Sequence, residues 1–228
     1  MKSLIFDSSS IISLAMNDLL WTLKPLKEIF KGEFYIPNSV KKEIVDTPIK
    51  SKKYKWEAIM IYRLIQEGVL KVGEKIDTNK LMFLGNNIFS SKENLKVKSP
   101  GGKINILQKG EIEAIALAMK LNASAYVVDE RTMRLVIEDV DVLKEILEKK
   151  LHTNIIIDSK ALDDFKKQLD SITIIRSSEL IMIALERGLF KDFKAEKKEL
   201  IDALLWGLRL RGCAISTEEI IEAIKLVK

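Results

Sequence analysis

What the chain lacks narrows its chemistry before any motif is read. Its 228 residues include one cysteine, Cys213, and one histidine, His152. A single cysteine excludes an intramolecular disulfide, and the two residues together exclude a Cys/His zinc cluster. One histidine also makes a Ser-His-Asp relay a poor fit. Prolines number 4 and aromatic residues make up 7%. No stretch of about 20 apolar residues is free of charge, so no membrane-spanning helix is expected. The opening MKSLIFDSSS lacks the apolar run of a signal peptide. These absences lead to the expectation of a soluble, cytoplasmic protein with no membrane partner.

What is present is a foldable mixture with an uneven charge. Hydrophobic residues make up 47% and charged residues 31%, enough to bury a sizeable core. The net charge is +5. Residues 41–109 hold 15 Lys/Arg against 7 Asp/Glu, whereas the remainder holds 23 against 26. The entire basic excess therefore sits in one middle segment. Such a segment suits an anionic polymer, and it is equally the pattern of a solvated lysine-rich surface.

Short apolar runs alternate with helical spacing along the chain. Strands are expected at Ser3–Phe6, Phe34–Ile36, Val69–Val72, Ala123–Val128 and Ile172–Ile175. Helices are expected at Ile11–Leu20, Lys55–Glu67, Ile112–Leu121, from Arg131 onward, and at Glu179–Arg187, Lys197–Leu210 and Thr217–Val227. Alternation of this kind predicts an α/β fold with a parallel sheet covered on both faces, a three-layer α/β/α sandwich. Residues 73–108 read as a loop-rich insertion with a flexible end at Ser99-Pro100-Gly101-Gly102, and 138–170 as a charged helical excursion. Trp21, Trp56 and Trp206 are expected in the core or an interface, and the Leu204–Leu208 cluster in the core or a dimer contact. Cys213 reads as a packed small hydrophobe and His152 as a surface residue.

Sites in such folds lie beyond the carboxyl ends of the strands. Asp7 directly follows the first strand and Asp129 the Ala123–Val128 strand. Glu43 lies one turn into the helix after the second strand, and Glu111 in the first turn of the helix before Asp129. Each has a plain reading: Asp7 and Asp129 as helix caps, Glu111 as a dipole partner, Glu43 as a solvated charge. Taken together, carboxylates gathered at one sheet edge repel and need a cation. Without a His/Cys set the ligands are hard oxygens, which select Mg²⁺ or Mn²⁺. Ions held this way, with water positions left free, suit phosphodiester cleavage.

These residues, in this order, resemble the PIN-domain ribonucleases, the fold of VapC-type toxins and of several RNA-processing nucleases. The resemblance rests on Ile5-Phe6-Asp7-Ser8-Ser9, on Ile36-Pro37-Asn38-Ser39-Val40 leading to Glu43, on Gly110-Glu111-Ile112-Glu113-Ala114-Ile115-Ala116-Leu117-Ala118, and on Val128-Asp129-Glu130-Arg131 with Arg134. It implies one PIN-like domain over 1–228, with insertions at about 73–104 and 138–170. It implies a catalytic set of Asp7, Glu43, Glu111 and Asp129. Within that set Asp7, Glu111 and Asp129 would bind the metal, and Glu43 would orient a water or hold a second ion. Ser9, Glu130, Ser177 and Ser178 would support the site. An acid common four residues after the last aspartate is here Met133, which weighs against a second tightly held metal. The implied activity is a Mg²⁺- or Mn²⁺-dependent endoribonuclease acting on RNA. Candidate protein partners are a second copy of the chain, an antitoxin or an RNA-processing partner. The alternatives are an RNA-binding or assembly module with little turnover, and a toxin restrained by an antitoxin.

Overall fold

A computed structural model describes residues 2–91, 102–169 and 172–226. Strand β1 (Ser3–Phe6) is buried at every residue, as a strand covered on both faces must be. It is followed by α1 (Ser8–Met16), α2 (Leu23–Phe30), β2 (Glu33–Ile36), the short α3 (Asn38–Lys41), α4 (Lys55–Gln66) and β3 (Leu70–Val72). Then come α5 (Asn79–Asn87), β4 (Phe89–Ser91), α6 (Lys109–Leu121), β5 (Ala125–Val127), α7 (Arg131–Glu138) and α8 (Val140–Leu151). The chain closes with β6 (Ile155–Ile157), α9 (Ser159–Leu169), β7 (Thr173–Ile175), α10 (Ser177–Glu186), α11 (Lys197–Leu210) and α12 (Thr217–Leu226).

Five strands form one parallel sheet in the order β3-β2-β1-β5-β7. Alternation along each strand divides its side chains between two cores. Leu4, Phe6, Phe34, Ile36 and Val127 enter the first, against Ile11 and Leu14 of α1, Ile61 of α4, Ile181 of α10 and Leu205 of α11. Ile5, Tyr126 and Val128 enter the second, against Ile112 and Ile115 of α6 and Met133 of α7. The expected three layers are present. Among the described residues no helix is long and apolar enough to cross a membrane.

The region read as a loop-rich insertion is instead ordered around α5 and β4. β4 pairs antiparallel with β6, joining Phe89 to Ile157 and Ser91 to Ile155. The two expected insertions are therefore partners. α5 packs on α9, Phe89 and Phe165 are fully buried, and Ser91 and Thr153 share a 2.8 Å hydroxyl hydrogen bond. Three-residue strands whose partners lie far along the chain carry no local signal, because their stability comes from the pairing. Most of the flexible end expected at 99–102 falls in 92–101, outside the described residues.

Two expectations that left alternatives open are narrowed. Trp56 is 66% exposed and lies outside the core. The face that α4 buries is Ala58, Ile61 and Leu64. Within the Leu204–Leu208 cluster, Leu205 and Leu208 are buried in the first core. Cys213 is buried as expected.

Candidate active site

The strand order reverses between β1 and β5, and their carboxyl ends lie side by side in parallel register. Open parallel sheets place their sites in such a crevice. Asp7 is the first residue beyond β1, and its N–H donates to Val127 O at 2.9 Å. It caps α1, accepting on Oδ2 from the Ser9 N–H at 3.1 Å and the Ser9 hydroxyl at 2.7 Å. Ser9 Oγ accepts in turn from the Asp129 N–H at 3.0 Å, so one serine ties the two strand ends together. Ser10 reinforces the tie by donating to Asp7 O and Val127 O.

Glu111 stands in the first turn of α6, buried, with one oxygen accepting the Gln108 N–H at 2.5 Å. Glu43 flanks that turn. A Cβ built on Gly110 would stand 3.9 Å from Glu43 Oε2 and from Ser39 Oγ. Glu43 lies in a π-helical turn, Lys42–Asp46, that continues α3. Such widened turns re-aim a side chain and occur often at functional sites. Ser8 lies beside the Glu43 carboxylate and favours its charged form. Glu113, on the same helix, accepts the Ser39 N–H at 3.1 Å and so fastens α3 to α6.

The carboxyls in this crevice resist ionisation. Burial, then the negative charges of Asp7, Glu130 and Glu43, push the Glu111 carboxyl up to about 8 against the opposing Gln108 amide bond. Burial also raises Asp7, opposed by its Ser9 and Ser8 bonds and reinforced by Glu130. Glu43 is raised by partial burial and by Asp7, with Ser8 opposing. Beneath them the Tyr126 hydroxyl is buried and has no hydrogen-bond partner among the described residues. Burial and the charges of Asp7, Glu111 and Glu130 hold it as a neutral phenol.

The structure thus gathers Asp7, Glu43, Glu111 and Glu130. Asp129 adjoins them through Ser9, but its carboxylate is engaged by Ser177. Asp129 is fully buried, and its two oxygens accept the Ser177 N–H at 2.7 Å and the Ser177 hydroxyl at 2.6 Å. Its carboxylate is directed to the start of α10. Strand alternation accounts for the division. Asp129 shares the parity of Val127 and the first core, where α10 packs, whereas Glu130 shares that of Tyr126 and Val128 and the second core, where α6 packs. Asp7, in phase with Ile5, falls on the α6 side as well. Counting by twos along both strands would therefore have separated Asp129 from Glu130, and would have marked Tyr126. Nothing in the sequence pattern singled out Ser8. Glu130 is fixed by Thr132 Oγ1 at 2.7 Å and the Met133 N–H at 2.9 Å as the cap of α7. Ser178 donates to Glu179 at 3.2 Å, and Met133 is fully buried.

The crevice suits a hard cation by chemistry and charge. The donors are all oxygens, the charges acting most strongly on Asp7 and Glu111 are negative, and the Tyr126 and Ser39 hydroxyls are orphaned beside them. Among the described residues no three acidic, histidine or cysteine side chains converge closely enough to share one ion directly.

The model of a PIN-domain family matches residues 3–144. No curated protein and no solved structure matches the chain. The matched span runs from β1 through α7 and into α8, and so contains Asp7, Glu43, Glu111, Asp129 and Glu130. PIN domains are generally nucleases, hydrolases that act on nucleic acid. With its five-stranded parallel sheet and an acidic crevice at the switch point, the chain belongs to the PIN-domain family.

Proposed function

We propose that this protein is a metal-dependent endoribonuclease that hydrolyses RNA phosphodiester bonds with Mg²⁺ or Mn²⁺. The observation that carries the proposal is the Glu111 carboxyl, buried in the first turn of α6 and pushed up to about 8 first by that burial and then by Asp7, Glu130 and Glu43, which bring no counter-charge. A fold keeps such a cluster at a cost unless a cation belongs there.

In this reading Asp7, Glu111 and Glu130 would hold the ion. Asp129 with Ser177 fixes the end of β5, so that Asp7 and Glu130 keep their spacing. The ion would supply charge to polarise the scissile phosphate and to lower the pKa of a water. Glu43, at the rim, accepts the proton of the attacking water, a role suited to a carboxylate whose proton affinity is raised. Tyr126, a neutral phenol under the cluster, offers a donor to a water there. The N-termini of α1, α6 and α7 meet at this crevice and favour the negative charge of a phosphate. Unpaired RNA is the substrate, because a flexible strand can bend its backbone into a carboxylate crevice.

The test is a labelled mixed RNA incubated with Mn²⁺ and the intact protein, the Asp7→Asn and Glu111→Gln variants, and an EDTA control. Cleavage by the intact protein alone is expected. RNA binding without cleavage would instead favour a binding module.

A further inference from the structure

Glu43 is shared by two cavities lined by different kinds of residue. One, of about 550 Å³, is lined by Lys42, Lys75 and Lys109 with Asn38, Ser39 and Glu113. Among the described residues Lys42 and Lys75 have no acidic partner within 4.0 Å, and Lys109 reaches Glu113 only at 3.8 Å. The other, of about 480 Å³, is largely apolar and lies between α1 and α4, lined by Ile12, Met16, Ile44, Tyr54 and Ile61, with Arg211 at its edge. Glu57 also lines it. Its volume falls in the range of small-ligand sites.

The rim of the apolar cavity is built with some strain. Tyr54 is 47% exposed yet stands in the left-handed backbone region, at φ 60° and ψ 19°. A bulky residue is rarely found there, and such strain is kept where the surroundings require it. The Lys53 ammonium lies 4.7 Å from the centre of its ring. Lys50, Lys52 and Lys55 crowd the same corner of the chain, all exposed. An apolar slot with an aromatic wall, with Arg211 in its lining, Lys53 over the Tyr54 ring and a candidate hydrolytic crevice beside it, fits a flat apolar group carried on a polyanion.

We propose that this slot is a nucleobase subsite. A single RNA strand lays its phosphates along Lys42, Lys75 and Lys109, crosses Glu43, and turns one unpaired base into the apolar slot against Tyr54. The inference rests on the proposed nuclease function for the identity of the crevice between the two cavities. Base–aromatic stacking tolerates any base, because every base has a π-face. Glu57 adds acceptors for an N–H on the edge of the base. The slot therefore requires an unpaired residue beside the cleaved bond, and duplex RNA is excluded.

The test is binding rather than cleavage, so that it can succeed or fail independently of turnover. A short single-stranded RNA carrying one 2-aminopurine is titrated with the intact protein in EDTA at low salt. A change in 2-aminopurine emission on binding is expected. Tyr54→Ala should remove that change and weaken binding about 5- to 150-fold, the range for loss of one stacked base. Tyr54→Phe should retain both. Replacing the 2-aminopurine nucleotide by an abasic one should cost the intact protein as much as Tyr54→Ala does, and should cost Tyr54→Ala nothing more. Equal affinity for the abasic strand, or an unaltered Tyr54→Ala, would overturn the subsite. So would light scattering that shows a dimer broken by Tyr54→Ala, since the slot would then belong to a second copy of the chain. Base-dependent binding without any cleavage would leave the subsite standing and remove the nuclease reading.

Discussion

Glu111→Gln should stabilise the metal-free protein while abolishing its chemistry. Burial and three neighbouring carboxylates move the Glu111 carboxyl from 4.5 to about 8. A carboxyl raised in this way favours the fold only while it keeps its proton. Its contribution is complete below pH 4.5 and is lost as the pH rises through about 8. Linkage puts that loss at about 2 kcal/mol by pH 6 and about 4 kcal/mol by pH 8. Glutamine fills the same space, carries no charge, and can still accept the Gln108 N–H through its side-chain oxygen. Exchanging the neutral carboxyl for an amide at that buried bond costs about 1 kcal/mol. The variant should therefore be slightly less stable than the intact protein near pH 4.5. The two should cross between pH 5 and 6, and the variant should lead by roughly 3 kcal/mol at pH 8. Urea unfolding in EDTA across this range measures the difference. Mn²⁺ at pH 8 should close the gap by stabilising only the intact protein. A variant less stable than the intact protein at pH 8, or an intact protein whose stability is flat from pH 4.5 to 8, would refute the electrostatic account of the crevice.

The division between the two adjacent acids predicts different losses. Ser177→Ala strips one donor from the buried Asp129 and should cost about 1–3 kcal/mol in thermal or urea unfolding. Asp129→Asn should also destabilise, whereas Glu130→Gln should remove Mn²⁺-dependent cleavage with little change in Tm. Arg176 holds α12 through Glu219, whose carboxyl its guanidinium draws down to about 2, and it also lowers Glu179. That support is present above the ordinary carboxylate range and is lost as the pH falls towards 2. Amides of α12 should lose hydrogen-exchange protection in acid before those of β1 and β5, and simultaneous release would contradict the assignment. Replacing Lys42, Lys75 and Lys109 together by Gln should flatten the log–log salt dependence of RNA binding by about 2, as expected for three lost phosphate contacts on a single strand. An unchanged slope would place the RNA elsewhere.

Much of the fold was legible because the strands that build the main sheet announce themselves. β1 is four consecutive buried residues closed by an acid, and a run of that kind has little use outside a covered parallel sheet. The bounds of α11, Lys197–Leu210, follow from its spacing alone. The acids at the strand ends were equally visible, since a polar residue directly after a buried run must lie at the sheet edge. Less visible was which of two neighbouring acids turns towards α6. Asp129 and Glu130 differ by half a strand period, and both look equally placed until Val127 and Val128 are assigned to opposite cores. The pairing of β4 with β6 had no local cue at all. That Trp56 lies off the core was not legible because α4 carries apolar residues around much of its circumference, so hydrophobicity did not select the buried side. The two cavities beside Glu43 depend on the approach of α1, α4 and α6, which no spacing encodes.

The most direct test of the account is calorimetric titration of the intact protein with Mn²⁺ at pH 7, repeated in buffers of different ionisation enthalpy. A carboxyl at about 8 is protonated at pH 7, and an ion drawn to the crevice must displace that proton. The account predicts binding with release of about 0.9 proton per ion, and loss of that release in Glu111→Gln. Binding without proton release, or binding that Asp7→Asn and Glu111→Gln leave unchanged, would contradict it.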